Sequence, residues 1–186
     1  FGFGQKTGID IPGESLGLLP GPDEEGDFGD HPWRLGDTYN VSIGQGDLLV
    51  TPIQLANFFA SVANGGVVYK PHLYKDEPSS VIFDYSNWSD EIAAVKEGLR
   101  EGVKDPSGSS HILSTLPFSV AGKTGTPQTH NKARVNALFS GYGPVENPEI
   151  SILVFIENAK EGSLNALPVA YDVFDWYYKN RISNGE

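Results

Sequence analysis

Lys123-Thr124-Gly125-Thr126 is the stretch whose residue types and spacing best suit chemistry. Phe118-Ser119-Val120-Ala121-Gly122 leads into it, and Val135-Asn136-Ala137-Leu138-Phe139 follows as a second strand-like run. A strand alternates its faces with period two, so Thr124 and Thr126 are expected to point the same way. Two hydroxyls on one face, with a lysine at the strand's start, suit a ligand's carboxylate. Gly125 has no side chain, which lets an extended ligand lie against the strand as an added strand.

Three residues of this motif recur as Lys6-Thr7-Gly8. There the neighbours are Gly2, Gly4 and Pro12, and Ile9 replaces the second hydroxyl, so the first copy reads as a loop. The second copy is the candidate site.

Four segments around these residues carry a family likeness, in order along the chain. They are Phe1-Gly2-Phe3-Gly4 with Thr7-Gly8-Ile9-Asp10-Ile11-Pro12-Gly13-Glu14, then Ser42-Ile43-Gly44-Gln45-Gly46 with Thr51-Pro52-Ile53-Gln54. Ala63-Asn64-Gly65-Gly66 follows, and last Lys123 to Thr126 with Phe139-Ser140-Gly141-Tyr142. The chain resembles the C-terminal part of a penicillin-binding protein transpeptidase domain, of the class B type that works in cell elongation.

The resemblance implies an α/β (α+β) fold in which helices pack an antiparallel sheet, with residues 1–186 forming the C-terminal portion of one domain. It also implies roles. Lys123 would contact the serine of a Ser-x-Asn motif and supply positive potential. Thr124 and Thr126 would bind the carboxylate of a stem peptide ending in D-Ala-D-Ala, or of a β-lactam. The backbone N–H of Thr126 would form half of an oxyanion hole, and Gly125 would let the ligand's backbone approach. Gln128 would line the cleft rim, or else is an exposed loop residue. No cofactor is implied. The further partners are the upstream half of the same domain and the membrane proteins of cell elongation. The location is the extracytoplasmic face of the inner membrane, reached through an N-terminal anchor outside this sequence.

The departures from the family pattern are as informative. Such enzymes place a lysine three residues after a nucleophilic serine, then a Ser-x-Asn motif, then Lys-Thr-Gly. No serine here has a lysine at the third position after it. Ser163-Leu164-Asn165 fits Ser-x-Asn but follows the Lys-Thr-Gly motif, and an N-cap role for Asn165 is the expectation. The nucleophile is therefore expected upstream of Phe1, and the chain alone is expected to be an inactive fragment. With no methionine anywhere, it is expected to start inside a longer chain. A serine β-lactamase of the same fold, and a non-catalytic drug-sensing domain that keeps the cleft, stand as alternatives.

Composition narrows the classes. The 186 residues carry a net charge of −11, and the thirteen basic residues form no stripe, which argues against nucleic acid. Without cysteine there are no disulfides and no thiolate chemistry. No apolar run reaches the roughly 18 residues of a membrane span. His31, His72, His111 and His130 lack metal-ligand spacing, and His130 reads as a surface residue. The acidic cluster from Asp23 to Asp30 lacks the spacing of an EF-hand and reads as a solvated loop. Gly44-Gln45-Gly46 reads as a tight turn below the cleft, not a nucleotide loop.

The positioning elements follow from punctuation. Residues 1–50 read as loop with short extended pieces. Thr51-Pro52-Ile53-Gln54 predicts a capped helix start, with Leu55, Phe58, Phe59 and Val62 on its apolar face and Asn64-Gly65-Gly66 as its stop. Val67-Val68-Tyr69 predicts a short strand. A second helix is predicted from Asp90 to Val103, burying Ile92, Val95, Leu99 and Val103. Strands over 116–126, 135–143 and 150–157 predict an antiparallel meander, with a connection at Asn131-Lys132-Ala133. A closing helix from Ala166 to Asn180 is predicted to turn Val169, Val173, Trp176 and Tyr177 toward the sheet.

Overall fold

The computed structural model describes residues 1–128 and 135–183; the expectations on His130 and on Asn131-Lys132-Ala133 fall outside them. The centre is a three-stranded antiparallel meander of β5 (Ala121–Gly125), β6 (Val135–Gly143) and β7 (Ile150–Ala159), in the order β5-β6-β7. Thr124 stands opposite Phe139 and Lys123 opposite Ser140; on the second ladder Phe139 stands opposite Val154. The expected meander is present, although β5 starts at Ala121. Residues 111–115 before it form a 3-10 turn, and Pro117 has no N–H to give to a ladder.

The pleat of β6 sorts two clusters. Ala137 and Phe139 point to the larger one, with Leu113, Leu116, Val120 and, from the closing helix α4 (Leu167–Tyr177), Leu167, Ala170 and Phe174. Tyr142 and its partner Ala121 meet Ala63 of α2 (Pro52–Ala63) on the opposite face. Between them, α3 (Ser89–Lys104) runs beside β5, giving Leu99 to the second cluster and Val103 to the first.

The predicted cap of α2 is present in full. Thr51 Oγ1 accepts from the Gln54 N–H at 3.3 Å, and Gln54 Oε1 accepts from the Thr51 N–H at 2.8 Å. Gln54 is also buried, and its Nε2 donates to the carbonyls of Gln5 and Leu16, so one side chain starts the helix and anchors the N-terminal segment. The helix stops where Gly65 and Gly66 take φ of +91° and +111°. Val67–Tyr69 then forms β3, paired antiparallel with β4 (Val81–Asp84).

Three helical expectations are corrected. Of the α4 residues expected at the sheet, Val169 is 44%, Val173 38% and Trp176 55% exposed, while Leu167, Ala170 and Phe174 are buried. This helix is apolar nearly all round, so periodicity cannot choose between its two stripes. Pro168 does sit in its first turn. On α3, Val95 is 47% exposed, because the face turned inward runs through Ile92, Leu99 and Val103. Asn165 does not cap α4: its Oδ1 accepts from the N–H groups of Lys160 and Glu161, on the chain entering the helix.

Residues 1–50 are largely loop, with a two-residue hairpin of β1 (Asp27–Phe28) and β2 (His31–Pro32). One helix in this region was not expected: α1 (Leu35–Ser42) buries no residue, so it lacks the apolar periodicity that would announce it. In the acidic loop, Asp23 Oδ1 accepts from the N–H groups of Glu25 and Asp27, organising the hairpin from within. Gly44 and Gly46 both adopt positive φ, +75° and +72°, as a tight turn requires.

The first Lys-Thr-Gly copy is held by carboxylates. Glu14 accepts from the Thr7 N–H and hydroxyl at 2.7 and 2.6 Å and from the Gly8 N–H at 3.1 Å. Asp10 accepts from the N–H groups of Leu73 and Tyr74 at 2.8 and 3.1 Å. Desolvation pushes the Glu14 carboxyl up, but the Thr7 and Gly8 hydrogen bonds outweigh it and leave it below the usual range. The Leu73 N–H, above all, lowers Asp10. A depressed folded-state pKa gives stability that is present above the unfolded value and lost as pH falls through the folded one. We therefore expect the protection of the Thr7, Gly8 and Leu73 amides, taken relative to the intrinsic exchange rate at each pH, to fall below about pH 4. Glu14→Gln should accelerate exchange at Thr7 and Gly8 already at neutral pH; unchanged protection there would show that the clamp does not hold the loop.

Candidate functional site

β5 is the edge strand of the meander, and among the described residues no strand pairs with its outer side. Its lining explains why it can be approached. Gly122 and Gly141 stand opposite each other under the ring of Phe139, where a Cβ on Gly122 would come within 2.5 Å of Phe139 Cζ. The strand is thus seated flat on the larger cluster by the absence of side chains, and its later residues emerge toward solvent.

Lys123 lies exposed on the pleat side it shares with Ala121 and Ser140, and its Nζ donates to the Thr124 carbonyl at 2.8 Å. No ion pair engages it among the described residues. Thr124 takes the other side of the pleat, opposite Phe139, and its hydroxyl meets Ser109 Oγ at 2.8 Å. Thr126 lies just past β5, exposed; its Oγ1 accepts from the Gly162 N–H at 3.3 Å. Gln128 is exposed and forms an isolated antiparallel bridge with Val135, while the Asn136 N–H donates to the Pro127 carbonyl, so β6 follows the chain beyond the strand. Lys123 and Thr124 therefore lie on opposite sides of the pleat, and the two threonine hydroxyls are held by different partners, Ser109 and Gly162.

Two contributors escaped sequence reasoning. Gly162 opens the π-helical turn (Gly162–Ala166) that leads into α4, and its place against Gly125 and Leu138 has no local sequence signal. Ser109 sits in the loop after α3, just past Asp105-Pro106-Ser107-Gly108, and nothing in that run signals what the loop faces.

Electrostatics elsewhere on the sheet are quiet. Tyr142 is fully buried, its hydroxyl has no hydrogen-bond partner among the described residues, and burial pushes its pKa up to about 12, so it stays neutral. Lys96 Nζ lies 5.8 Å from the centre of that ring and donates to the Ala63 carbonyl, joining α3 to the end of α2. At the start of β5, Ser119 donates to Glu146 and accepts from the Val145 N–H, tying the strand's entrance to the β6–β7 connection. Among the described residues no helix is long and apolar enough to cross a membrane.

The architecture is thus an antiparallel sheet flanked by helices, with Lys123, Thr124 and Gly125 on its edge strand and Thr126 just past it. The chain belongs to the family described as the penicillin binding protein transpeptidase domain, whose sequence model matches residues 1–175. It is 36% identical to the peptidoglycan D,D-transpeptidase MrdA of Acinetobacter baumannii, over 99% of this chain and 30% of that protein. The MrdA of Haemophilus influenzae is 33% identical, over 100% of this chain and 32% of that protein. Among solved structures, penicillin-binding protein PBP2 of Helicobacter pylori, in complex with MreC, superposes with a TM-score of 0.84 at 28% identity. That likeness covers 97% of this chain and 34% of the other. The chain spans about a third of the length of the relatives it matches. The expected fold class is thereby met, as is the expected family.

Proposed function

We propose that the protein containing this chain is a serine-type peptidoglycan D,D-transpeptidase of the cell-elongation type, and that residues 1–186 are the C-terminal, substrate-holding portion of its transpeptidase domain. The observation that carries this is the edge of β5, unpaired among the described residues, which presents Lys123, Thr124 and Gly125 and leads into Thr126 in a chain of this family. An extended stem peptide ending in D-Ala-D-Ala would lie along that edge, its carboxylate taken by the Thr124 and Thr126 hydroxyls, with the Lys123 ammonium supplying positive potential from the other side of the pleat. The Thr126 N–H would be one oxyanion donor, of a kind that typically contributes about 10²–10³ in rate, with Gln128 on the rim.

The nucleophile and the Ser-x-Asn motif would come from the upstream portion of the same domain. Its serine attacks the carbonyl of the penultimate D-Ala, and the terminal D-Ala leaves as the free amino acid. The amine of a neighbouring stem peptide then attacks the acyl-enzyme ester and releases the serine. β-Lactams acylate the same serine. The two named transpeptidase relatives and the PBP2–MreC structure support membrane-associated elongation proteins as partners and an extracytoplasmic site of action.

Intact mass after incubation with excess benzylpenicillin tests the division of labour. This chain alone is expected to gain no mass, and the full-length protein is expected to gain one long-lived penicilloyl group. A stoichiometric adduct on the isolated chain would mean that one of its own serines is activated and would overturn the upstream nucleophile. Rapid turnover of the drug by the full-length protein would point to a β-lactamase instead.

A further inference from the structure

The loop between α3 and Leu113 is built to present one side chain to the edge strand. Asp105 Oδ1 accepts from both the N–H and the hydroxyl of Ser107, at 2.7 and 2.6 Å, which folds the chain back. The Gly108 N–H then donates to the Asp105 carbonyl at 2.8 Å. A Cβ at position 108 would stand 2.3 Å from the Gly102 carbonyl oxygen, so only glycine lets the loop lie this close to the last turn of α3. Past it, the Ser110 N–H donates to that Gly102 carbonyl at 3.2 Å, and the His111 N–H to the Gly108 carbonyl at 3.1 Å. Ser109 is therefore pinned from both sides while its own side chain stays exposed, 2.8 Å from the Thr124 hydroxyl.

We propose that Ser109 is a positioning residue for Thr124: it holds and polarises the threonine hydroxyl that receives the ligand's carboxylate. The inference rests on the function proposed above and adds a residue to that site. A hydroxyl carries one proton and two lone pairs, and rotates to suit its neighbours. When a carboxylate arrives, Thr124 must donate to it; Ser109 can then turn its own proton onto Thr124 Oγ1. A chain of two donors ending on an anion polarises cooperatively, and charge-assisted bonds are about twice as strong as neutral ones. The support matters only for ligands that carry a carboxylate.

The test uses the full-length protein and compares acylation by benzylpenicillin with acylation by its methyl ester. Ser109→Ala is expected to slow acylation by the free acid roughly 3- to 10-fold, as loss of one such hydrogen bond implies. The methyl ester should react within about twofold of the parent rate, and Ser109→Thr should restore the free acid's rate. Equal slowing with both ligands would mean that the loop merely supports the fold, and no slowing with either would mean that Thr124 needs no partner; both results overturn the proposal. Lys123→Ala, run alongside, separates the two levels. Normal acylation of that variant would bring down the site itself. A crippled Lys123→Ala beside an unaffected Ser109→Ala would bring down only the role of Ser109.

Discussion

Replacing Lys123 with alanine in the full-length protein is expected to slow acylation by benzylpenicillin about a hundredfold or more, while the thermal midpoint stays within a degree or two. Lys123 is exposed, and among the described residues the only hydrogen bond of its side chain is from Nζ to the neighbouring Thr124 carbonyl. Exposed residues without a buried contact change stability by about half a kcal/mol or less when truncated. The fold therefore has little stake in this ammonium. On the proposed function a ligand would have one: the ammonium is unengaged by any carboxylate among the described residues, on the strand that holds Thr124 and leads into Thr126. Preorganised charge at a reacting centre typically contributes about 10²–10³ in rate. Time-resolved acylation with a fluorescent penicillin, paired with a melting curve, measures both quantities. Near-normal acylation would remove Lys123 from the site; a collapsed melting transition would make it a structural residue instead.

The two Lys-Thr-Gly copies show what could be read in advance and why. Glycine-rich surroundings made the first copy a loop, and the structure adds Glu14 as the clamp that gives Thr7 a structural task. Apolar runs made the second copy a strand, and β5 pairs with β6 in the expected antiparallel sense. The α2 cap was legible because it is written in four consecutive residues. The side of α4 that meets the sheet was not, because Val169-Val173-Trp176 and Leu167-Ala170-Phe174 are equally apolar stripes. Only the shape of the sheet decides between them. The same limit applies at the site. Lys123 to Thr126 lie together in sequence, whereas Ser109 and Gly162 reach the strand from before and after it, by contacts that no periodicity encodes.

Gly162→Ala should lower both stability and the acylation rate, by adding one methyl group where the turn meets this strand. Gly162 is buried, and its φ is not in the left-handed region, so the objection to alanine is space and not backbone conformation. A Cβ there would lie 2.6 Å from the Leu138 carbonyl oxygen, 2.7 Å from the Gly125 carbonyl oxygen and 3.2 Å from the Gly125 nitrogen. All three are backbone atoms of paired strands, since Gly125 stands opposite Leu138, and none can rotate away as a side chain would. Relief requires the turn to back off from the sheet, which stretches the 3.3 Å hydrogen bond from the Gly162 N–H to Thr126 Oγ1. Overpacking of this kind costs about 1–3 kcal/mol. The full-length variant should therefore melt several degrees lower and acylate more slowly even where it is fully folded, because Thr126 loses its support. Gly98→Ala is the matched control. It lies within α3 with no atom within 4 Å of the added Cβ. There the same substitution should stabilise by roughly 0.5–1 kcal/mol, through the lower entropy of the unfolded chain. If both alanines shifted the melting point in the same direction, the close seating of the turn on Gly125 would not be what Gly162 provides.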